Sequence, residues 1–425
     1  MKTIIKLRVL LISLTSFALS ASGQTTPAKV NPAMTYYRAF LLAPESSDSD
    51  QECLASNNLW SVTLPAHFGE LVARYDPEFK LVRQAGQLSG PCDWGIDMSQ
   101  GPATLLPHLA RCKGVMVAAR YRVLWHLQNG QQEEARDGLL AAFVLARNIS
   151  RDGTLISVLV QIAAETICTD IIAENYAKFT PKTLEGLVHG MDAAPAAGTA
   201  AASITFEKLT FHDWFLNKIE ELRLATPGNE ATIMAGIRNL VVSLEGPEPG
   251  EQSAVGPSLW ERITQAGGNN SDGIIQLLRQ EDLAYDRLSK IMGLPFSQFD
   301  QEAKAFAADL DRELNPMLAD ALGACLKARQ REFRVQVLLA MVHAAAEYRL
   351  HGESGLLRVE DPCGQGPFAF ERFLFGGVDR GLRLRSAFQG SGFPETMIFV
   401  ENPGRPFFLA GPHAGEPRVQ NTGPR

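Results

Sequence analysis

From Pro32 to Gly352 apolar residues recur at steps of three and four, the period of helices that bury one stripe. Asn31-Pro32 reads as an N-cap followed by proline at the first helical position, opening a helix over 33–42. Lys113 to Gln128 forms another, ended at Asn129-Gly130 because glycine accepts the left-handed conformation. The next helix lines Ala135, Leu139, Ala142, Ala146 and Ile149 along one face. Residues 154–177 are apolar nearly all round, so this helix belongs at the centre. Thr180-Pro181 caps a short helix ending near Met191. A further helix carries Ile204, Phe211, Phe215, Ile219 and Leu222 on one face. Helices resume over 274–292 and 298–314, and a long one runs from Asn315-Pro316 to Gly352.

Two helices joined at Asn129-Gly130 must lie antiparallel, and their alanines let them approach closely. The hairpin resembles tetratricopeptide packing, yet no repeat of about 34 residues is present, so bundle core is the preferred reading. After Gly352 the period changes. Leu382 and Leu384 alternate with Arg383 and Arg385, which predicts a strand with one wet face. Pro367 to Phe375 and Thr396 to Val400 are similar, giving a three-stranded antiparallel tail. The expected class is therefore mainly α, antiparallel hairpins in a bundle, with a small C-terminal β tail. Glycine, proline and polar residues at 45–52, 89–107, 193–197, 245–257 and 267–273 mark connectors. The expected organisation is a leader (1–23), two helical regions (24–245 and 258–352), the β-rich tail (353–410) and a disordered end (411–425).

The leader changes the compartment. Lys2, Lys6 and Arg8 precede an apolar run to Leu19 and a small-residue stretch, Ala21-Ser22-Gly23, the pattern of a cleavable secretory signal. Residues 1–23 hold three of the 40 Lys and Arg and none of the 47 Asp and Glu. Without them the net charge moves from −7 to −10. That balance argues against a nucleic-acid partner, which calls for a basic face. The best candidate for a membrane span, Leu155 to Ala173, carries Gln161, Glu165 and Asp170, costly in lipid, so no transmembrane span is expected after export to the periplasm or beyond. Cys53, Cys92, Cys112, Cys325 and Cys363 are candidates for disulfides, and Cys168 reads as a buried thiol. No CxxC pair occurs among the six.

Several segments resemble a group of uncharacterised secreted or membrane-anchored helical proteins from planctomycete- and Verrucomicrobia-like bacteria. They are NPAMTYYRAF (31–40), CDWGIDMSQGP (92–102), LPHLARCKGVMVAARYR (106–122), LARNISRDGTLISVLVQIAAE (145–165) and DPCGQGPF (361–368). The resemblance spans most of the chain after the leader and implies a helical fold and export, with no activity attached. DPCGQGP also resembles the end of secretion-system pseudopilins, but the calcium-loop ending and the pilin N-terminus are missing.

Four constellations are candidates for chemistry. Glu165 interrupts a helix expected to be buried, so it is a raised-pKa acid or half of an ion pair with Arg120, Arg122 or Lys208; the pair is preferred. His343, Glu347 and His351 share a helix face, but two turns of about 5.4 Å each put the histidines too far apart for one ion, so a polar stripe is preferred to a metal site. Glu207, His212 and Asp213 cluster beside Trp214, where sequence neighbours point apart on an α-helix and are not expected to form a dyad. Cys92, Asp93, Trp94 and Asp97 gather in one loop, read as a turn at Asp93 and a buried anchor at Trp94.

No nucleophile elbow, P-loop or dinucleotide fingerprint appears, and neither cofactor nor metal is expected. The leading expectation is an exported scaffold or interaction protein with an envelope or secreted protein partner. The alternative is an enzyme or ligand binder with an acidic pocket, in which Glu165, Glu207 and Arg120 or Arg122 converge. A weaker third places the tail as a strand-addition device.

Overall fold

The computed structural model describes residues 30–45, 63–245, 258–313, 316–390 and 392–402. The leader, Cys53, the 246–257 connector and the end at 411–425 lie outside them. The architecture is mainly helical with a three-stranded sheet near the C-terminus.

Helix α1 (Pro32–Leu41) starts where the sequence says, with the Asn31 side chain accepting from the Ala33 amide. The same side chain clasps the next loop, donating to the Asp93 carbonyl at 2.6 Å and accepting from its amide at 3.0 Å. Helices α2 (Phe68–Arg74) and α3 (Asp76–Gly86) follow, then the hairpin of α4 (Pro107–Gln128) and α5 (Gln132–Ile149). Its turn works as expected: Gly130 has φ 72°, and the Gln131 amide bonds back to the His126 carbonyl. All five predicted face residues of α5 are buried. Helix α6 (Leu155–Glu174) is apolar all round because α4 and α5 and the long helix α14 (Pro316–His351) enclose it. By length and composition α6 alone, among the described residues, could also cross a bilayer.

After α7 (Pro181–Asp192) the chain departs from expectation. One helix was predicted through 204–222; instead α8 (Ala200–Glu207) and α9 (Trp214–Ala225) are joined by a π-helical turn, Lys208–Asp213. Then come α10 (Glu230–Glu245), α11 (Leu259–Ala266), α12 (Ser271–Met292), α13 (Phe296–Glu313), α14 and the single turn α15 (Glu353–Leu356).

The apolar core does not divide at 245–258. One large core runs from Ala33 to Ile204 and resumes from Tyr285 to Phe399. A smaller one, from Phe215 to Leu278, gathers α9, α10, α11 and the first half of α12. The helices either side of the expected boundary therefore share one core.

The tail is a meander, β1 (Ala369–Phe375), β2 (Val378–Arg385) and β3 (Thr396–Val400), antiparallel throughout. Leu382 and Leu384 face inward, while Arg383 and Arg385 reach out to Glu371 on β1. The sheet packs on the helices: Phe399 meets Tyr176 edge-on at 5.4 Å, and Arg334 of α14 pairs with Glu395 at 2.8 Å. Asp361 fastens it. Its carboxylate accepts from the Ser386 hydroxyl and from the amides of Ala387 and Cys363. The outer edge at β1 bears Glu371 and Arg372 and a register shift at Phe373/Leu374, features that discourage strand addition.

Candidate functional site

The residues singled out in the sequence do not converge. Glu165 is sealed in α6 at 1% side-chain exposure, and its partner is Arg147 of α5, Nε to Oε1 2.5 Å. That contact is an ion pair by distance without hydrogen-bond alignment. The expected partners are engaged elsewhere. Arg120 grips Glu174 through both oxygens at 2.8 and 2.9 Å, joining α4 to α6. Arg122 pairs with Asp76 at 2.5 Å and donates to the Val72 carbonyl, joining α4 to the α2–α3 corner. Lys208 bridges Asp213 and Asp282. The reason is rotational register. Arg120 lies where α4 faces the C-terminal end of α6, whereas α5 presents Arg147 to the middle of α6.

Burial dominates the electrostatics. It pushes the Glu165 carboxyl up to about 7 despite the pull of Arg147, and it does the same to Glu174 against Arg120. Buried Glu78, near Arg122, is likewise raised to about 7. These are acids held back by desolvation inside helix contacts, and each pair sits in a different place.

Glu207 serves the start of α6. Its Oε1 accepts from the Leu155 amide at 2.7 Å, and burial raises its pKa. Asp152 completes the collar, accepting from the amide and hydroxyl of Thr154 and from the Ser157 hydroxyl. Two carboxylates at a helix N-terminus satisfy amides that have no partner within the helix and oppose its dipole. His108 Nε2 approaches Asp152 at 3.0 Å, with both side chains almost fully buried, so this pair has no face open to a substrate. Trp94 stacks on His108 at 4.8 Å and on Tyr36 at 5.7 Å, and its indole donates to the Asn148 carbonyl. Asp93 accepts from the Gly95 amide as an Asx turn. The 92–97 loop is thus an anchor, as its composition suggested.

The five described cysteines, Cys92, Cys112, Cys168, Cys325 and Cys363, are free thiols, and all but Cys363 are buried. The expectation of disulfides fails among the described residues: none of the five is bonded to another, although Cys92, Cys112, Cys168 and Cys325 belong to the same large core. Burial pushes the thiols of Cys92, Cys112, Cys325 and Cys363 up to about 12.

The stripe on α14 is polar and interhelical: His343 meets Asp192 of α7 at 3.2 Å, and Glu347 meets Arg358 and His351 at 3.6 and 3.8 Å. His343 and Asp192 rim a half-open cavity of about 190 Å³, with Phe143, Met191 and Leu339 as walls and Arg147 behind them.

At the π-turn the sequence expectation is overturned. His212 Nδ1 lies 2.8 Å from Asp213 Oδ1, so the two neighbours do form a dyad. An i→i+5 turn is wider than an α-turn and re-aims successive side chains. Nε2 of His212 donates to the Leu278 carbonyl of α12 at 2.9 Å.

Sequence reasoning missed Arg147, His108, Asp152 and Asp282. Only Arg147 left a signal, a lone cation between buried Ala146 and Asn148 on the helix facing α6. No family model, curated protein or solved structure matches the chain.

Proposed function

We propose that the protein is a non-enzymatic helical scaffold, exported by the leader at 1–23, that presents its surface to an envelope or secreted protein partner. The observation that carries this reading is the use made of the polar side chains. Arg147–Glu165, Arg120–Glu174, Arg122–Asp76 and the Glu207 collar each tie two chain segments together, and each does so at a different place in the fold. Exposed apolar side chains supply contact area; Met34 and Leu41 stand seven residues apart on the outer side of α1, 62% and 83% exposed. The basic-then-apolar start supports export. The test is photo-crosslinking in the native host from Met34, Leu41, Leu224 and Leu283. One discrete protein adduct, lost when Met34 and Leu41 become aspartate, is expected. No adduct at any position overturns the reading.

A second reading, a binder of small anionic ligands, is favoured by the cavity backed by Arg147. Thermal shift with a panel of short carboxylates separates the two, since a scaffold shows no shift that Arg147→Lys removes.

A further inference from the structure

Among the described residues, the π-turn is where a buried histidine, two carboxylates and a lysine from two chain segments meet. The nearest donor atoms of His212, Asp213 and Asp282 lie within 4.8 Å of one another. His212 is fully buried, Asp213 partly exposed, and Asp282 of α12 about half exposed. The Lys208 ammonium lies 2.7 Å from Asp282 Oδ1 and 3.2 Å from Asp213 Oδ1.

Donor and acceptor accounting gives this cluster direction. The Leu278 carbonyl can only accept, so His212 Nε2 carries a hydrogen. A neutral ring then aims the Nδ1 lone pair at the Asp213 carboxylate, which is also an acceptor. Either a proton or a metal ion between them removes that conflict. A ring N–H fixed by a main-chain carbonyl, with the other nitrogen aimed into a carboxylate pair, is the outer-shell arrangement of metal-ligating histidines. The backbone adds a second sign: π-turns occur in short pieces inside α-helices, frequently at functional sites.

We propose that His212 Nδ1, Asp213 and Asp282 form a binding site for a divalent transition metal such as Zn²⁺, with the Lys208 ammonium occupying the cation position when no metal is bound. One imidazole and two carboxylates suit zinc and its neighbours, and water completes a four-coordinate shell. With bonds of about 2.1 Å, two donors on one metal stand no more than about 4.2 Å apart. The half-exposed Asp282 side chain closes the remaining gap by rotation. Lys208, on its four-carbon stem, swings into solvent as the ion enters.

Two carboxylates, an imidazole and a lysine also describe a plain ion-pair network, and the two arrangements respond oppositely to loss of the lysine. The experiment titrates Zn²⁺ into the full chain after EDTA treatment, by calorimetry, with Mg²⁺ as control. His212 is buried and its replacement risks misfolding, so the variants are Asp282→Asn and Lys208→Met, with circular dichroism as a check on folding. One equivalent of Zn²⁺ is expected to bind, at least about tenfold more weakly in D282N. K208M, freed of the competing ammonium, is expected to bind several-fold more tightly and to regain on adding Zn²⁺ the thermal stability it loses without it. Absence of saturable binding overturns the proposal. So does binding that neither variant changes, or K208M that is destabilised and not rescued.

Discussion

Replacing Glu165 with glutamine tests whether desolvation or pairing governs the buried acids. Burial holds the Glu165 carboxyl at about 7 in the folded protein, against 4.5 ordinarily, with Arg147 offsetting only part of the cost. The unfolded chain therefore releases this proton near pH 4.5 and the folded chain only near 7. Between those values the folded state binds more protons, so wild-type stability falls as pH rises: the contribution is fully present below 4.5 and lost above 7. The difference corresponds to about 3 kcal/mol. Glutamine does not titrate, and Glu78 and Glu174 titrate in both proteins and cancel. E165Q should accordingly gain on the wild type by about 3 kcal/mol between pH 4.5 and 7.5. Urea unfolding followed by circular dichroism at pH 4.5, 6 and 7.5 measures that gap. A gap that does not change with pH, or one that moves against the variant, refutes the reasoning, because Glu165 would then be ionised throughout as a true ion-pair partner.

Arg147→Ala at pH 8 should cost about 1–2 kcal/mol in urea unfolding, since Glu165, held at about 7 beside Arg147, then takes up a proton rather than keep an unpaired charge; no loss at pH 8 counts against the pairing. Asp361→Ala removes the acceptor for Ser386, Ala387 and Cys363, and limited proteolysis should then cut within 367–402 at least tenfold faster while α4 to α6 stay intact. Gly101→Ala places a methyl against the Trp214 ring at φ 56°, so it should destabilise by about 1–3 kcal/mol, read from the urea midpoint. Native alkylation at pH 8 should leave Cys92, Cys112, Cys168 and Cys325 unmodified until denaturant is added, as peptide mass mapping would show.

Much of the helical layout was legible in the chain itself. The Asn31 cap, the Gly130 turn, the buried face of α5 and the alternation at Leu382 and Leu384 all rest on local rules, in which a residue's preference or a short period fixes the outcome. Glu165 was also visible as a buried acid, because an apolar helix must be enclosed and an acid within it must be desolvated. The sequence could not say which cation meets it. Arg120, Arg122 and Arg147 are equivalent in composition, and only the rotation of α4 and α5 about their axes separates them. The same limit hid the π-turn, since a period of 3.6 extends straight through Lys208–Asp213 and gives no sign that the backbone widens there. It hid the free cysteines and the shared core of α9 to α12 as well. Local patterns settle which segments are helices and which face is apolar; which faces meet is decided by long-range packing, where many weak contacts act together and no single residue carries the information.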